Sequence, residues 1–493
     1  MLQLISNALQ FPDKVAVVDK TGSYTYSQLL SKSEQIAFSL LNNKEDLDQE
    51  RVAFMLDPGF DYVSMQWGIW RAGGIAVPLC ISYPFPSLNY VLQDTGAERV
   101  ICGQAYLEVL SPLNDDSNIE LIALNQIGKK GNPTILPDIE SSRSAMILYT
   151  SGTTSLPKGV LSTHANIESQ IKTLVKAWAW NSKDYTLGLL PLHHVHGIIN
   201  VLSCALWSGA TIQFLHPFNA DEVFSIFEEK KVNVFMAVPT IYFKLIAAYE
   251  SFSQEKQNSI TETLSNFRLM VSGSAALPVS VMEKWKIISN HYLLERYGMT
   301  EIGMAISNPY EGQRKAGYIG QALPEVEVRL VDEKGEPVKA GQSGEIQIKG
   351  PSVFEEYWGK AEASQKAFSQ DGWFLTGDIA VLEDGYFRIL GRDSIDIIKS
   401  GGYKISALEI EEIIRTYPGV KDCGVIGIPD PEWGELVVSG LVASPDFDSA
   451  PLTDWLKSRL PGYKIPRKYI ILKDLPRNVM GKVTKNEMKK LFL

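Results

Sequence analysis

The segment MILYTSGTTSLPKGV, residues 146–160, joins a short apolar run to a loop of glycine and small hydroxyl residues. The loop ends at Pro157 and Lys158. Residues of these types are common in ordinary surface turns. Such a loop can also surround an anion with N–H groups and hydroxyls, while the lysine supplies positive charge. The segment therefore predicts either a turn or a phosphate-binding loop after a strand. It is not a Walker A motif, which has glycine before its lysine.

Short apolar runs recur on both sides of this loop and alternate with longer amphipathic stretches. This alternation is typical of βα units whose parallel strands are buried. Past Glu325 the runs shorten and Asp-Gly turns appear, which favours hairpins. The helical period returns at residues 408–417, where Ile410, Ile413 and Ile414 share one face. We predict an α/β fold with a large N-terminal domain of βα layers and a small β-barrel-like region, residues 1–392. A small, mobile C-terminal α/β domain would follow over residues 393–493.

The composition narrows the class of protein. The chain has 493 residues, a formal net charge of −10 and four cysteines without CxxC spacing. Its length predicts at least two domains. The acidic balance argues against a nucleic-acid partner, since phosphate backbones usually bind a basic face. The scattered cysteines are typical of reduced thiols in a core. We find no secretory signal pattern and no run long enough to span a membrane, so we expect a cytoplasmic protein without a membrane partner.

Five further motifs follow the loop along the chain: YGMTE at 297–301, TGD at 376–378, GR at 391–392, IKSGGYKIS at 398–406 and PRNVMGK at 476–482. In this order and spacing they resemble the signature motifs of the acyl-adenylate-forming superfamily, which includes acyl-CoA synthetases, adenylation domains and firefly luciferase. The resemblance implies that ATP converts a carboxylic acid to an acyl-AMP and releases pyrophosphate. The thiol of coenzyme A then displaces AMP. The implied cofactors are ATP, Mg²⁺ and coenzyme A, because phosphoryl chemistry depends on positioning and charge neutralisation.

The resemblance assigns the nucleotide-binding residues. The phosphate loop would hold the β- and γ-phosphates through Thr150, Ser151, Gly152, Thr153, Thr154 and Lys158. The adenine-side loop would contain Ser274, Ala275 and Ala276, and Tyr297 would stack on the adenine. Thr300 would contact the α-phosphate, and Glu301 would bind Mg²⁺. Asp378 would accept hydrogen bonds from the ribose hydroxyls beside Arg392. On its residues alone, YGMTE could equally end a buried strand, and TGD could form a simple turn.

Lys482 lies in the last motif, near the C-terminus, where a lysine is usually a solvated surface charge. In the superfamily, the lysine at this position neutralises the carboxylate and α-phosphate oxygens during adenylation. Its domain then rotates and presents a glycine loop to the thiol. That loop would be Ser400–Lys404, with Gly401 and Gly402, and the hinge would lie near Asp393 or Ser394.

Three candidate residues bear on the identity of the acid. PLHHVHG at 191–197 contains three histidines without acidic or cysteine partners, which makes a poor metal site, and the resemblance places His194 at the acyl pocket. Arg296 directly precedes Tyr297, where a guanidinium facing an apolar acyl tail would be costly unless a carboxylate meets it. Arg296 could instead pair with Glu295. Lys244 lies in a segment that approaches the acyl pocket and could add a second cation.

A cationic acyl pocket predicts a short dicarboxylic acid, bound at one end and activated at the other. Stretches around residues 191–197, 232–242, 269–278, 293–310 and 396–411 closely resemble malonyl-CoA synthetases. The sequence therefore predicts malonate as substrate, with methylmalonate second. The competing interpretations are a ligase of medium- or long-chain fatty acids with coenzyme A or acyl carrier protein, and a non-catalytic nucleotide-binding relative. We expect a monomer or weak dimer.

Overall fold

The computed structural model describes residues 2–115, 118–128, 135–150, 156–478 and 481–492. The α-helices follow the chain as α1 Gln3–Ala8, α2 Tyr26–Leu41, α3 Phe60–Arg71, α4 Phe85–Thr95, α5 Leu107–Leu110, α6 His164–Ala177, α7 Cys204–Trp207, α8 Ala220–Glu228, α9 Pro239–Ser251, α10 Gln254–Ser265, α11 Val279–Ser289, α12 Ala361–Lys366, α13 Ala407–Arg415, α14 Ala450–Lys457 and α15 Lys485–Lys490. A π-helix, His196–Ser203, leads directly into α7.

The strands are β1 Val15–Asp19, β2 Gly22–Thr25, β3 Arg51–Met55, β4 Ile75–Pro78, β5 Arg99–Cys102, β6 Glu120–Ala123, β7 Ser144–Thr150, β8 Lys158–Thr163, β9 Tyr185–Gly188, β10 Thr211–Phe214, β11 Val234–Ala237, β12 Leu269–Ser272, β13 Leu294–Met299, β14 Gly303–Ser307, β15 Gln321–Ala322, β16 Glu327–Val331, β17 Ser343–Lys349, β18 Glu356–Tyr357, β19 Phe374–Glu383, β20 Tyr386–Arg392, β21 Ile397–Ser400, β22 Tyr403–Ser406, β23 Asp422–Asp430, β24 Gly434–Val442 and β25 Lys468–Leu472.

Two mixed sheets form the N-terminal part of the protein. The first has the order β18-β8-β7-β4-β3-β5-β6, and the second has the order β15-β14-β13-β12-β11-β9-β10-β1-β2. Strands β3 to β6 pair in parallel, as do β9 to β13. Their residues are almost all buried, as expected for parallel strands covered by helices. The βα architecture predicted from the apolar runs is confirmed.

A four-stranded antiparallel sheet, β16-β17-β19-β20, follows these layers. The hairpins predicted past Glu325 are confirmed, and β19 and β20 join through the turn at Asp384 and Gly385. The strand order is linear, with β16 and β20 at the two edges, rather than closed into a barrel.

The C-terminal part contains β21 to β25 and helices α13 to α15. Helix α13 buries Ile410 and Ile414 against a separate core that also contains Val425 and Leu441. The amphipathic helix predicted from this isoleucine spacing is therefore confirmed, as is the division into a large and a small α/β part. All four cysteines are free and buried. Among the described residues, every helix is too short or too polar to cross a membrane.

Candidate active site

The candidate site lies where strands of the two large sheets end. Strand β12 ends at Ser272, and the adjacent parallel strand β13 carries Arg296 and Tyr297. Ligands of α/β proteins commonly bind beyond the carboxyl ends of parallel strands. The register therefore places the adenine-side loop, which starts at Gly273, beside Arg296.

The phosphate-loop segment is a connection within a hairpin. Thr150 at the end of β7 pairs with Lys158 at the start of β8. Lys158 extends its ammonium over the ring of Tyr357, 4.6 Å from the centroid. Ser151, Gly152, Thr153 and Thr154 lie outside the described residues, so their predicted phosphate contacts stay predictions.

Glu301 is buried beside this hairpin. The hydroxyl of Tyr357 donates to Glu301 Oε1 at 3.0 Å. Burial raises the pKa of Glu301, and the Tyr357 hydroxyl, Arg392 and Lys158 act in the opposite direction. Thr300, which precedes Glu301, is half-buried. Tyr357 therefore contacts both Lys158, which was predicted to bind phosphate, and Glu301, which was predicted to bind Mg²⁺.

Tyr297, Asp378 and Arg392 form one hydrogen-bonded cluster. Tyr297 donates its hydroxyl to Asp378 Oδ2 at 2.7 Å, and Arg392 Nε donates to Asp378 Oδ1 at 2.9 Å. Asp378 and Arg392 are partners in the β19–β20 ladder, which fixes their spacing. Burial acts to lower the pKa of Arg392, but Asp378 raises it overall. The carboxylate predicted to bind ribose is thus held between a phenol and a guanidinium.

Lys482 from the C-terminal part reaches this cluster. Burial among protein groups lowers its pKa, Arg392 and Arg296 lower it further, and Asp378 and Glu301 oppose them. Lys482 is nevertheless exposed to solvent. The hairpin of Lys482 is held by its own N–H, which donates to Asn478 Oδ1 at 3.0 Å. The structure therefore brings Lys482 together with residues of the other domain.

A second polar cluster lies at the acyl side of the cleft. Arg296 Nη2 donates to Ser274 Oγ at 3.3 Å, and His196 Nδ1 lies 3.0 Å from the same oxygen. Arg296 is 3 % exposed and His196 is 2 % exposed. Arg296 Nε and His196 Nε2 are buried and lack a hydrogen-bond partner among the described residues. Ser274 adopts a left-handed backbone conformation, φ +70°, which is rare for a residue with a side chain.

Burial lowers the pKa of Arg296 to about 9, and Glu295 acts against this. The alternative that Arg296 forms an ion pair with Glu295 is not supported, since none joins them in the described part of the chain. Glu295 instead accepts from Leu277 N–H at 3.0 Å, and burial raises its pKa to about 8. A protonated Glu295 leaves the guanidinium without a carboxylate partner.

The other residues predicted for the site lie outside these two clusters. His194 is half-buried, its ring lies 4.2 Å from that of His193, and its pKa is lowered well below the usual range by burial, His193 and Lys482. Gly401 and Gly402 form an exposed hairpin turn with positive φ. Lys244 is exposed on α9 and lies over the ring of Phe218, 5.6 Å from its centroid. The role of Lys244 as a second pocket cation stays a prediction.

Sequence reasoning missed Tyr357 and assigned no role in the site to His196. Both act through tertiary contacts. Tyr357 is in another motif region from Glu301 and Lys158, so no local spacing relates them. His196 begins a π-helix, a rare form that is frequent at functional sites, but this form is visible only in the folded structure.

These features together define a class of protein, and the chain belongs to the AMP-binding enzyme family. Residues 4–358 match the AMP-binding enzyme family, and residues 409–482 match the AMP-binding enzyme C-terminal domain. The mitochondrial malonate–CoA ligase of Mus musculus is 44 % identical over 520 residues, which cover 98 % of this chain and 89 % of the relative.

Two solved structures of MatB from Rhodopseudomonas palustris also align with the whole chain at 31 % identity, and the alignments cover 99 % of each MatB chain. The ATP-bound structure gives a TM-score of 0.92, and the apo structure gives 0.82. This structure therefore aligns more closely with the ATP-bound structure than with the apo structure.

Proposed function

We propose that this protein is a malonate–CoA ligase. Malonate and ATP would form malonyl-AMP and pyrophosphate, and coenzyme A would then displace AMP to give malonyl-CoA. The observation that supports malonate most directly is the buried, incompletely bonded guanidinium of Arg296 beside Ser274 and His196. The malonate–CoA ligase of Mus musculus provides independent support.

Malonate satisfies the needs of this pocket. A buried cation without a hydrogen-bonded partner is costly, whereas a carboxylate can accept two parallel bonds from a guanidinium. One malonate carboxylate would bind Arg296, Ser274 and His196, and the other would face the α-phosphate. A fatty acid would bury a hydrocarbon tail against Arg296 and leave its charge unpaired. Methylmalonate keeps both carboxylates and is the expected second substrate.

The phosphate side of the cleft suits ATP with Mg²⁺. Glu301 supplies one buried carboxylate beside Lys158 and Tyr357, and Mg²⁺ commonly binds through one or two carboxylates together with substrate phosphates. Mg²⁺ held by Glu301 would neutralise the charge of the phosphates. Lys158 and the loop from Thr150 would bind the β- and γ-phosphates, and Thr300 would contact the α-phosphate.

Asp378, Arg392 and Tyr297 would bind the ribose and adenine, with Ser274, Ala275 and Ala276 along the base. Lys482 would neutralise the reacting carboxylate and the α-phosphate, because its ammonium comes from the small domain to the cluster of Asp378 and Arg392. We place the domain boundary at residues 392–393. Asp393 N–H still donates to Gly377 O at 3.0 Å, whereas Asp396 N–H donates back to Arg392 O at 2.7 Å, so the hinge would lie within this turn. Rotation there would bring Gly401 and Gly402 to the thiol of coenzyme A.

The test is the formation of AMP and of the thioester with malonate, methylmalonate, acetate, octanoate and palmitate. We expect the highest kcat/KM with malonate and the next with methylmalonate. Faster turnover of octanoate or palmitate would contradict the proposal, and an absence of AMP with every acid would indicate a non-catalytic relative. The cytoplasmic location stays a prediction, since the mouse relative is named mitochondrial.

A further inference from the structure

Helix α4 carries two side chains, one turn apart, that reach the two stems of the phosphate loop. Asp94 Oδ2 accepts from the hydroxyl of Tyr149 at 2.7 Å, on the stem before the loop. Tyr90 donates its hydroxyl to the carbonyl oxygen of Pro157 at 2.8 Å, on the stem after it. Residues four apart on a helix share one face, so a single rigid element binds both stems.

The helix itself is anchored from the sheet. Leu88 and Leu92 on its inner face are fully buried. At its C-terminal end, Arg51 donates through Nε to Thr95 O at 3.0 Å and through Nη2 to Gly96 O at 2.9 Å. These bonds satisfy carbonyl groups that a helix end leaves without partners. Tyr90 and Asp94 are therefore presented from a fixed support.

The Asp94 carboxylate also pairs with Lys360, which lies on the other side of the phosphate-loop hairpin. Lys360 Nζ lies 2.6 Å from Asp94 Oδ1, and the Asp94 side chain is only 10 % exposed. Lys360 follows β18, whose Tyr357 contacts both Lys158 and Glu301. Asp94 thus links the entry stem of the loop to the strand that positions two candidate phosphate- and metal-binding residues.

A loop rich in glycine and small residues loses much conformational entropy when it closes on a ligand, and fixed stems lower that cost. We propose that Asp94 and Tyr90 are positioning residues for ATP, which hold the phosphate-loop stems and, through Lys360, the Tyr357 ring in the geometry that receives the phosphates. The inference rests on one part of the proposed function, namely that the protein binds ATP. It does not depend on the identity of the acid.

The test measures the dissociation constant of MgATP by calorimetry without any acid, then the KM values for ATP and malonate. Replacing a buried charged acceptor costs about tenfold in affinity, so Asp94→Asn should raise the MgATP dissociation constant about tenfold. The KM for malonate should stay unchanged. Tyr90→Phe should raise the constant about threefold, since it removes a neutral hydrogen bond, and Tyr149→Phe should raise it by no more than Asp94→Asn, since Asp94 then keeps its pairing with Lys360. The Asp94→Asn, Tyr149→Phe double variant should be no weaker than Asp94→Asn alone, because both remove one shared bond.

The matched control is Asp46→Asn. Asp46 pairs with Arg143, which directly precedes β7 at the end away from the phosphate loop, so this change removes an ion pair beside the same strand. It should leave MgATP binding unchanged. Lys360→Arg should keep the MgATP affinity of the wild type, whereas Lys360→Met should weaken it.

Wild-type MgATP affinity in Asp94→Asn, or an equal loss of affinity in Asp46→Asn, would overturn the inference. If Asp94→Asn does not fold, the two Tyr→Phe variants decide the test in the same way. Failure of wild-type protein to use malonate, with weakened MgATP binding in Asp94→Asn, would contradict only the proposed substrate.

Discussion

The guanidinium of Arg296 lies directly over the backbone of Gly273. A Cβ at position 273 would stand 2.5 Å from Arg296 Nη1 and 2.6 Å from Nε, far inside van der Waals contact. The absence of a side chain at Gly273 therefore creates the space that the guanidinium fills. Since Ser274 is the next residue and bonds the same guanidinium, one short loop determines where the charge of Arg296 lies.

Replacing Gly273 by alanine should move Arg296 and weaken malonate binding. We expect the KM for malonate to rise about tenfold, the cost of losing one charged hydrogen bond, with little change in the KM for ATP. Steady-state kinetics with each substrate varied would measure this. Gly462→Ala is the control, because a Cβ there meets open space. An unchanged KM for malonate would show that Arg296 does not bind the substrate in this position.

Arg296→Ala should lower kcat/KM for malonate about a hundredfold, because a charged pair in a buried pocket is lost. The preference for malonate over acetate should shrink by a similar factor. Arg296→Lys should recover only part of the loss, since an ammonium cannot reproduce the planar two-bond contact. Competition assays with both acids would measure the preference. Intact selectivity in Arg296→Ala would contradict the assignment of this residue.

Lys482→Ala should reduce adenylation about a thousandfold, the scale seen when a group that stabilises transition-state charge is removed. Transfer from supplied malonyl-AMP to coenzyme A should persist. The two half-reactions can be followed separately, by pyrophosphate exchange and by thioester formation. Lys473→Ala, an exposed lysine of the same domain, is the control. Equal loss of both steps would refute a role confined to adenylation.

Glu295 should make the protein less stable as the pH rises. Burial and the nearby charge of Glu412 raise its pKa, Leu277 N–H and Arg296 lower it, and the net pKa is about 8. The unfolded chain loses this proton near the ordinary pKa of 4.5, while the folded protein keeps it until about 8. The free energy of unfolding therefore falls as the pH rises through this window and then levels.

Glu295→Gln should flatten that pH dependence, because glutamine stays neutral and can still accept from Leu277 N–H. Thermal melts from about pH 5 to about pH 8 would show a smaller decline in Tm than for the wild type. Glu327→Gln, at an exposed position, should follow the wild-type curve. Identical curves for the wild type and Glu295→Gln would mean that Glu295 is ionised in the folded protein.

Much of the fold could be predicted from the sequence, because it depends on local periodicity. The buried parallel strands, the hairpins past Glu325 and the amphipathic helix at Ile410 all have short-range patterns. The candidate site was harder. The segment of Lys244 could be predicted to approach the pocket, but the sequence could not show that this side chain is exposed and lies over the Phe218 ring. No spacing along the chain could show that Tyr357 bonds Glu301, since the two residues meet only in the fold, where Phe354 N–H also donates to Glu301 O at 2.7 Å.

The sequence by itself determined the family and the chemistry, because ordered motifs with a phosphate loop and a terminal lysine recur only where ATP must be bound and charge neutralised. It also supplied Arg296 as the residue that bears on substrate choice. Only the tertiary structure decided whether that guanidinium has an internal partner. Glu295 turns to Leu277 N–H, Gly273 leaves room, and Ser274 and His196 approach from separate segments. Hydrogen bonds depend on distance and direction in space, which residue order does not contain.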